Sequence, residues 1–170
     1  ASDANDEPRY WCDATTAWAG ADRGSPGAEN EQCTILPPEG QCVDPDTLAE
    51  RPIVSPTAGQ LVISEWMPNV VGADGDKEWF ELRATAAVDL NGLQLDRAGD
   101  SSAPDVVDAD ECLAVTAGTY LVFARDIDPL VNGTLPRVDG VFGFTMVTDG
   151  DVQLLDPAGA VLDAVTWTGA

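Results

Sequence analysis

Two glutamates are the clearest candidates for paired-carboxylate chemistry in this sequence. Glu65 and Glu81 fall in two short β-rich runs, and adjacent strands would bring their side chains close together. Paired carboxylates can hydrolyse glycosidic bonds, but such residues far more often accept structural hydrogen bonds from loop backbone. The chain has no histidine, which removes the usual base of a catalytic triad and the commonest transition-metal ligand. We therefore predict a protein that is not an enzyme.

Aspartates recur in pairs on turn-like segments, and carboxylates clustered on loops are the ligands that calcium prefers. The best candidate calcium site is Asp126, Asp128 and Asn132, although their spacing does not fit an EF-hand loop. Ordinary turn formation explains most of these aspartates equally well, because aspartate caps turns. Asn132, Gly133 and Thr134 also match the acceptor pattern for N-glycosylation. No cofactor other than calcium is predicted.

The four cysteines, Cys12, Cys33, Cys42 and Cys112, offer either a metal site or two disulfides. None of them forms a Cys-x-x-Cys pair, and without histidine a zinc site would need all four. Two disulfides in an oxidising compartment are the better interpretation, and three pairings are open. We therefore expect an extracellular or cell-surface location.

The charge balance narrows the classes of partner. The chain carries 8 lysines and arginines against 30 aspartates and glutamates, a formal net charge of -22. Such a surface repels nucleic-acid phosphates and anionic lipid headgroups, so neither is a predicted partner. No apolar run reaches the length of about 18 residues that a spanning helix needs, so membrane insertion is not expected. The chain does not begin with Met, which suggests a piece processed from something longer.

The chain changes character between its two parts. Residues 1–57 are rich in Pro, Gly, Asp and Glu with little periodicity, which predicts an irregular, disulfide-stapled N-terminal arm. Residues 58–170 contain short apolar runs between turn signals and no sustained helical period, which predicts an all-β sandwich or barrel. The predicted strands are residues 61–66, 78–83, 93–95, 119–124, 141–146, 151–156 and 161–167.

Five motifs in this second part, taken in order, resemble the lamin-tail domain family. They are ISEWMPN at 63–69, EWFEL at 78–82, VDLNGLQL at 88–95, AGTYLV at 117–122 and the hairpin from GDVQLLD to DAVTW at 150–167. The resemblance implies an immunoglobulin-like β-sandwich of the bacterial type, which occurs in secreted or surface proteins, often in tandem and beside hydrolases. The family pattern contains no catalytic residues.

The sequence departs from the family at its ends. A bacterial lamin-tail unit usually continues past its last strand into a tail, and the matching tail motifs stand here at residues 5–8, 11–12 and 24–30. The arm would then fold back onto its own sandwich, or complete the sandwich of a neighbouring copy and so build a fibre or surface array. A tandem array of repeats is the third arrangement. The resemblance also proposes the pairs Cys12–Cys112 and Cys33–Cys42, with Cys12–Cys33 left open as the alternative.

Two classes of function follow from these expectations. The first is a structural module joined to copies of itself or adjacent repeats by its arm, with Trp11 and Trp18 as aromatic anchors in a groove of the sandwich. A local hydrophobic cluster beside Cys12 is the alternative role for these tryptophans. The second class is a ligand- or surface-binding accessory domain of a secreted protein, assisted by calcium.

Overall fold

The structure is a computed structural model, and it describes residues 17–20, 22–24, 37–70, 72 and 75–169. Two compact units are present, Ala1–Glu39 and Gly40–Ala170. The first contains an antiparallel pair, β1 (Ala17–Ala19) and β2 (Asp22–Arg23). Within the described residues every regular element is a strand, which confirms the all-β prediction. None of those residues belongs to a long apolar helix able to cross a membrane.

The second unit is built from two four-stranded sheets and two two-stranded sheets. Its strands are β3 (Gln41–Val43), β4 (Glu50–Pro52), β5 (Leu61–Met67), β6 (Trp79–Ala84), β7 (Val88–Asp89), β8 (Leu93–Asp96), β9 (Asp105–Val107), β10 (Ala114–Val115), β11 (Tyr120–Ala124), β12 (Gly140–Val141), β13 (Gly150–Leu155) and β14 (Val161–Trp167). The first sheet has the order β12-β11-β6-β5, and the second has the order β14-β13-β8-β9. The two-stranded sheets are the antiparallel pairs β3-β4 and β7-β10.

The core forms because alternate residues of each sheet face the other sheet. In β6, Phe80 and Leu82 are fully buried, whereas Arg83 between Leu82 and Ala84 is exposed. In the second sheet, Leu95 of β8 and Leu154 of β13 are fully buried cross-strand partners. These side chains belong to one continuous hydrophobic cluster. The period of two therefore positions two layers around a shared core, as a sandwich requires.

One side of the sandwich is closed by contacts between the edge strands β5 and β14. Ile63 N in β5 donates a hydrogen bond of 2.7 Å to an Asp163 carboxylate oxygen in β14. The rings of Trp66 and Trp167 stack with centroids 6.5 Å apart, and Trp167 Nε1 donates to Val147 O. Both strands also carry bulges, so this edge is protected against pairing with another chain.

Most predicted strands are confirmed, but the strand predicted at 141–146 is wrong beyond Val141. Phe142 N still donates to Ala124 O of β11, but from Gly143 onward the backbone leaves the sheet and its polar groups bond to side chains. Gly143 N donates to Asp105, the carbonyls of Gly143 and Phe144 accept from Arg125, Thr145 O accepts from Arg97, and Met146 N donates to Glu78. Charged side chains thus replace a strand ladder.

Gly140 gives a test of how tightly β12 packs on the core. A Cβ at this position would lie 2.5 Å from Cε1 of Phe123, a ring that is almost fully buried and stacked on Phe80. We expect Gly140→Ala to lower the free energy of unfolding by about 2 kcal/mol through overpacking. Urea denaturation measures this change, with Gly99→Ala as the control, because a Cβ at Gly99 meets nothing within 4 Å. Equal midpoints for the two variants would contradict the packing described.

Candidate functional site

Residues 40–54 form a hairpin, called the ribbon below, that is held on the sandwich. Its turn is set by Asp44, whose Oδ1 accepts hydrogen bonds from Asp46 N at 3.1 Å and Thr47 N at 2.9 Å. The Thr47 N–H is the main cause that holds the pKa of Asp44 below its usual range. This Asp-centred turn brings β3 and β4 together, with Cys42 opposite Arg51.

The first attachment of the ribbon is a short piece of parallel pairing with the loop before β10. Val43 pairs with Glu111: Val43 N donates to Asp110 O at 2.9 Å, and Cys112 N donates to Val43 O at 2.8 Å. Beside this pairing, Cys42 and Cys112 form a disulfide, and both residues are buried. One residue of the ribbon, Val43, therefore pairs with the sandwich through a single parallel bridge, and the disulfide beside it fixes this contact covalently.

The second attachment is an ion pair at the other strand of the ribbon. Arg51 Nη1 and Nη2 donate to the two carboxylate oxygens of Asp89 at 2.6 Å and 2.8 Å. Asp89 also accepts from Val54 N at 2.7 Å, and Asp89 N donates to Val54 O. The Asp89 side chain is almost fully buried, so its charge requires these three donors. The hydrogen bonds from Arg51 are the main cause that holds the pKa of Asp89 below its usual range.

Asn91 shapes the surface that receives the ribbon. Its Nδ2 donates to Ala109 O at 2.9 Å and Glu111 O at 2.7 Å, and its Oδ1 accepts from Leu113 N at 2.8 Å. The side chain is 2% exposed, so these bonds form away from solvent. Asn91 therefore fixes the loop whose residues pair with Val43. Asn91 was not predicted from the sequence, and the one signal that could have found it was a polar residue between apolar strands.

A small cleft of about 270 Å³ lies beside the ribbon. Arg51 and Val54 form one wall, and the strands β7 and β10 form the other through Val88, Ala114 and Val115. The surface inside it is mostly that of apolar side chains. We call Asp89, Asn91 and residues 109–112 the ribbon seat. The seat binds the backbone of Val43, the sulfur of Cys42 and the guanidinium of Arg51.

The disulfide corrects the predicted pairing. Cys112 bonds to Cys42, so the predicted pairs Cys12–Cys112 and Cys33–Cys42 are both wrong. The physical reason is the pairing of Val43 with Glu111, which places Cys42 beside Cys112 with their Cα atoms 4.9 Å apart. Cys12 and Cys33 lie outside the described residues. A disulfide within the compact unit indicates an oxidising environment.

The ribbon also bears on the predicted boundary between arm and sandwich. The predicted arm ends at residue 57, whereas the compact unit begins at Gly40 and includes the whole ribbon. Residues 40–54 are therefore the part of the predicted arm that the structure seats on the sandwich. Trp11 lies outside the described residues and Trp18 lies in β1, and their role as anchors stays a prediction.

The residues of the predicted calcium site share one loop after β11 but are engaged by backbone. Asp126 Oδ1 accepts from Asp128 N, Asp128 Oδ1 accepts from Leu130 N, and Asn132 Oδ1 accepts from Leu135 N. Among the described residues no three acidic, cysteine or histidine side chains converge as metal ligands. Calcium binding stays a prediction.

The predicted N-glycosylation site is at Asn132. Asn132 is 2% exposed, which disfavours its glycosylation in the folded protein.

The paired glutamates lie where the sequence indicated. Glu65 and Glu81 are cross-strand partners in β5 and β6, and Ser64 Oγ donates to Glu81 Oε1 at 2.7 Å. This is a structural hydrogen bond on an exposed face.

A comparison of the sequence with protein-family models finds no match, and a comparison with curated proteins finds no relative.

The Arg51–Asp89 pair predicts a pH dependence of stability. Because the folded pKa of Asp89 is lowered, its carboxylate stabilises the fold above the unfolded pKa of about 3.9, and this contribution is lost as the pH falls through the folded pKa. We expect Asp89→Asn to lower the free energy of unfolding at pH 7 by about 2 kcal/mol, less than for a fully buried pair, because Arg51 keeps contact with solvent and Asp44.

The measurement is urea denaturation between pH 7 and pH 2.5 for both proteins. The stability difference between wild type and Asp89→Asn should be constant near neutrality and shrink below about pH 4. Taking the difference removes the effect of neutralising the other carboxylates, which both proteins share. A difference that grows on acidification would contradict the assignment. Asp46→Asn, at an exposed residue of the ribbon turn, is the control.

Proposed function

We propose that the protein is a non-catalytic extracellular assembly module, a β-sandwich of the lamin-tail, immunoglobulin-like type that joins copies of itself or adjacent repeats through its N-terminal arm. The observation that supports this proposal is the attachment of the ribbon to the sandwich by the bridge between Val43 and Glu111 and by the Cys42–Cys112 disulfide beside it. A sandwich that receives such a segment from its own chain presents the same seat to the ribbon of another copy.

Exchange of ribbons requires that the connection to β5 open out, and that the Cys42–Cys112 bond form between copies from free thiols or by thiol–disulfide exchange. This connection is residues 55–60, and it contains the buried Pro56 and a turn in which Gln60 N donates to Thr57 O. Short connections of this kind favour exchange of the preceding element between copies, because extending them relieves the turn. Each copy would give its ribbon to one neighbour and accept one from the other, a contact that does not close and so builds a fibre.

The charge of the chain gives the disulfide a role in such an assembly. A net charge of -22 on every copy opposes association, most strongly at low ionic strength. A covalent Cys42–Cys112 bond between copies would offset that repulsion at each contact. We therefore expect the assembly to dissociate in reductant, and to do so more completely at low salt.

A complementation experiment tests the exchange. The variants Cys42→Ser and Cys112→Ser each lack the disulfide within one chain, but a mixture contains one Cys42 and one Cys112 on different copies. Refolding the mixture in a glutathione redox buffer should give a covalent dimer on a non-reducing gel. Mass spectrometry of the digested dimer should identify a Cys42–Cys112 peptide. This readout is specific because other cysteine pairs give different peptides.

Native mass provides the companion measurement. Light scattering and electron microscopy of the wild type should show long oligomers or filaments, and reductant should shorten them. Each variant refolded alone is the control and should form no Cys42–Cys112 bond. A mixture without this peptide, together with a wild-type monomer at every concentration, would contradict the proposal and leave the ribbon bound only in its own chain.

The alternative is a calcium-assisted ligand- or surface-binding domain, and the position of Asp126 favours it. This residue of the predicted calcium site lies on the wall of a cleft of about 460 Å³. The test is thermal unfolding with 5 mM calcium or with chelator. A higher unfolding temperature in calcium that disappears in Asp126→Asn would support this function, and an unchanged temperature would remove it.

A further inference from the structure

The larger cleft lies on the side of the sandwich away from the β5–β14 edge, and it shares no residue with the ribbon seat. Its volume of about 460 Å³ falls in the range of about 300–1,000 Å³ typical of binding pockets. It is lined by Asp105, Arg125, Asp126, Ile127, Val141, Phe142 and Gly143. These residues come from β9, from β12 and from the first residues after β11 and after β12.

Both sheets end at this cleft in short outer strands. β12 is the last strand of the first sheet and β9 is the last strand of the second. The contact between them is made by the Asp105 side chain, which accepts a hydrogen bond of 2.6 Å from Gly143 N. An outer strand presents backbone donors and acceptors on its free side, and an extended peptide can pair with them.

The cleft offers apolar contact to such a peptide. Val141 is 53% exposed and Ile127 is 70% exposed, whereas Phe142 between the two sheets is buried in the core. Exposed apolar side chains beside a free strand edge suit the alternate side chains of an added strand, which face the same surface.

The charges of the cleft define the chemistry of the partner. Within the described part of the chain, Asp105 and Asp126 form no ion pair; each has one carboxylate oxygen bonded to backbone. Among the described lining residues the one cation is Arg125, which donates to the carbonyls of Gly75, Gly143 and Phe144. The cleft therefore has carboxylates ready for a cationic side chain, on a chain whose net charge is -22.

We propose that this cleft binds an extended, basic segment of a partner protein, paired with β12 and held by apolar contacts to Ile127 and Val141 and by Asp105 and Asp126. A second copy of the chain does not fit this description, because its net charge is also -22 and no thiol stands among the described lining residues to offset the repulsion with a covalent bond. The site is independent of ribbon exchange, so either can fail without the other.

The probe is a short capped peptide that alternates valine with lysine, titrated by fluorescence anisotropy at about 0.15 M salt, where surface charges are screened beyond roughly 8 Å. The decisive variant is Val141→Asp, and its matched control is Val161→Asp in the protected edge strand β14. Both valines are 53% exposed. An added carboxylate strengthens any nonspecific attraction of the basic peptide, so weaker binding by Val141→Asp reports loss of the docking surface.

We expect Val141→Asp to weaken binding at least about tenfold, and Val161→Asp to leave it unchanged or slightly tighter. Asp105→Asn and Asp126→Asn should each weaken binding by about threefold to tenfold. A peptide with proline at its centre should bind more weakly, because proline cannot donate to β12. Ile127→Asp lies in the loop beside β12 and repeats the test if Val141→Asp unfolds. Equal binding by the two valine variants, or no binding to the wild type at millimolar peptide, would overturn the proposal.

Discussion

Replacing both Cys42 and Cys112 by alanine is expected to lower the free energy of unfolding by roughly 4 kcal/mol. The disulfide closes a loop with a sequence separation of 70 residues, and cross-links over loops of this length remove much of the entropy of the unfolded chain. The two sulfurs are also buried, so their removal leaves a small cavity. The loss should be measured by guanidinium denaturation of the wild type and the double variant under oxidising conditions.

The double valine variant separates the two causes. Valine fills part of the space left by each thiol, so it should recover the packing contribution while the chain entropy stays lost. We therefore expect the valine variant to lie between the alanine variant and the wild type, and nearer to the alanine variant. A double alanine variant with the midpoint of the wild type would show that the cross-link contributes nothing to the stability of the sandwich.

The second large effect is expected at Asn91. Asn91→Ala removes three buried hydrogen bonds and leaves two carbonyls and the N–H of Leu113 without their partner. A buried polar group that loses its partner costs about 1–3 kcal/mol, so the free energy of unfolding should fall by about 3 kcal/mol or more. Gln94→Ala is the control, since its single hydrogen bond to Pro157 O lies at the surface and its loss should cost about 0.5 kcal/mol.

Asn91→Ala should also loosen the ribbon. Hydrogen exchange of Val43 N and Cys112 N reports the pairing that depends on the loop fixed by Asn91. Both amides should exchange faster in the variant. The exchange of the β13 amides should speed up only as far as the loss of global stability requires. Unchanged protection of Val43 N and Cys112 N in a destabilised variant would show that Asn91 does not position the seat.

The strands of the two main sheets could be predicted because their residues alternate between core and solvent. Leu93-Gln94-Leu95 and Tyr120–Ala124 follow this rule, since one face of each is buried. The ribbon strands β3 and β4 were missed because their stability comes from Asp44, the disulfide and the Asp89 ion pair. None of these contacts leaves a periodic pattern in the sequence.

The disulfide shows why long-range contacts escape sequence reasoning. Cys112 pairs with a cysteine of the predicted arm, but the choice of Cys42 depends on the backbone pairing of Val43 with Glu111. Likewise, the aromatic residues at 141–146 favoured a strand, and only the arrangement of Asp105, Arg125, Arg97 and Glu78 in space allows that segment to leave the sheet. Contacts between residues distant in sequence decided both outcomes, through backbone in the first case and through side chains in the second.

The ribbon also determines an order of events during folding. Its partners lie far downstream, since Arg51 binds Asp89 and Cys42 binds Cys112, at separations of 38 and 70 residues. Contacts of such high sequence separation form after local ones, and on the ribosome the seat does not exist until residue 112 has emerged. Cys42 is therefore synthesised well before its partner thiol. Under the proposed exchange, the seat of another copy would compete for the ribbon during that interval, and the rate of synthesis would then influence the balance between monomer and assembly.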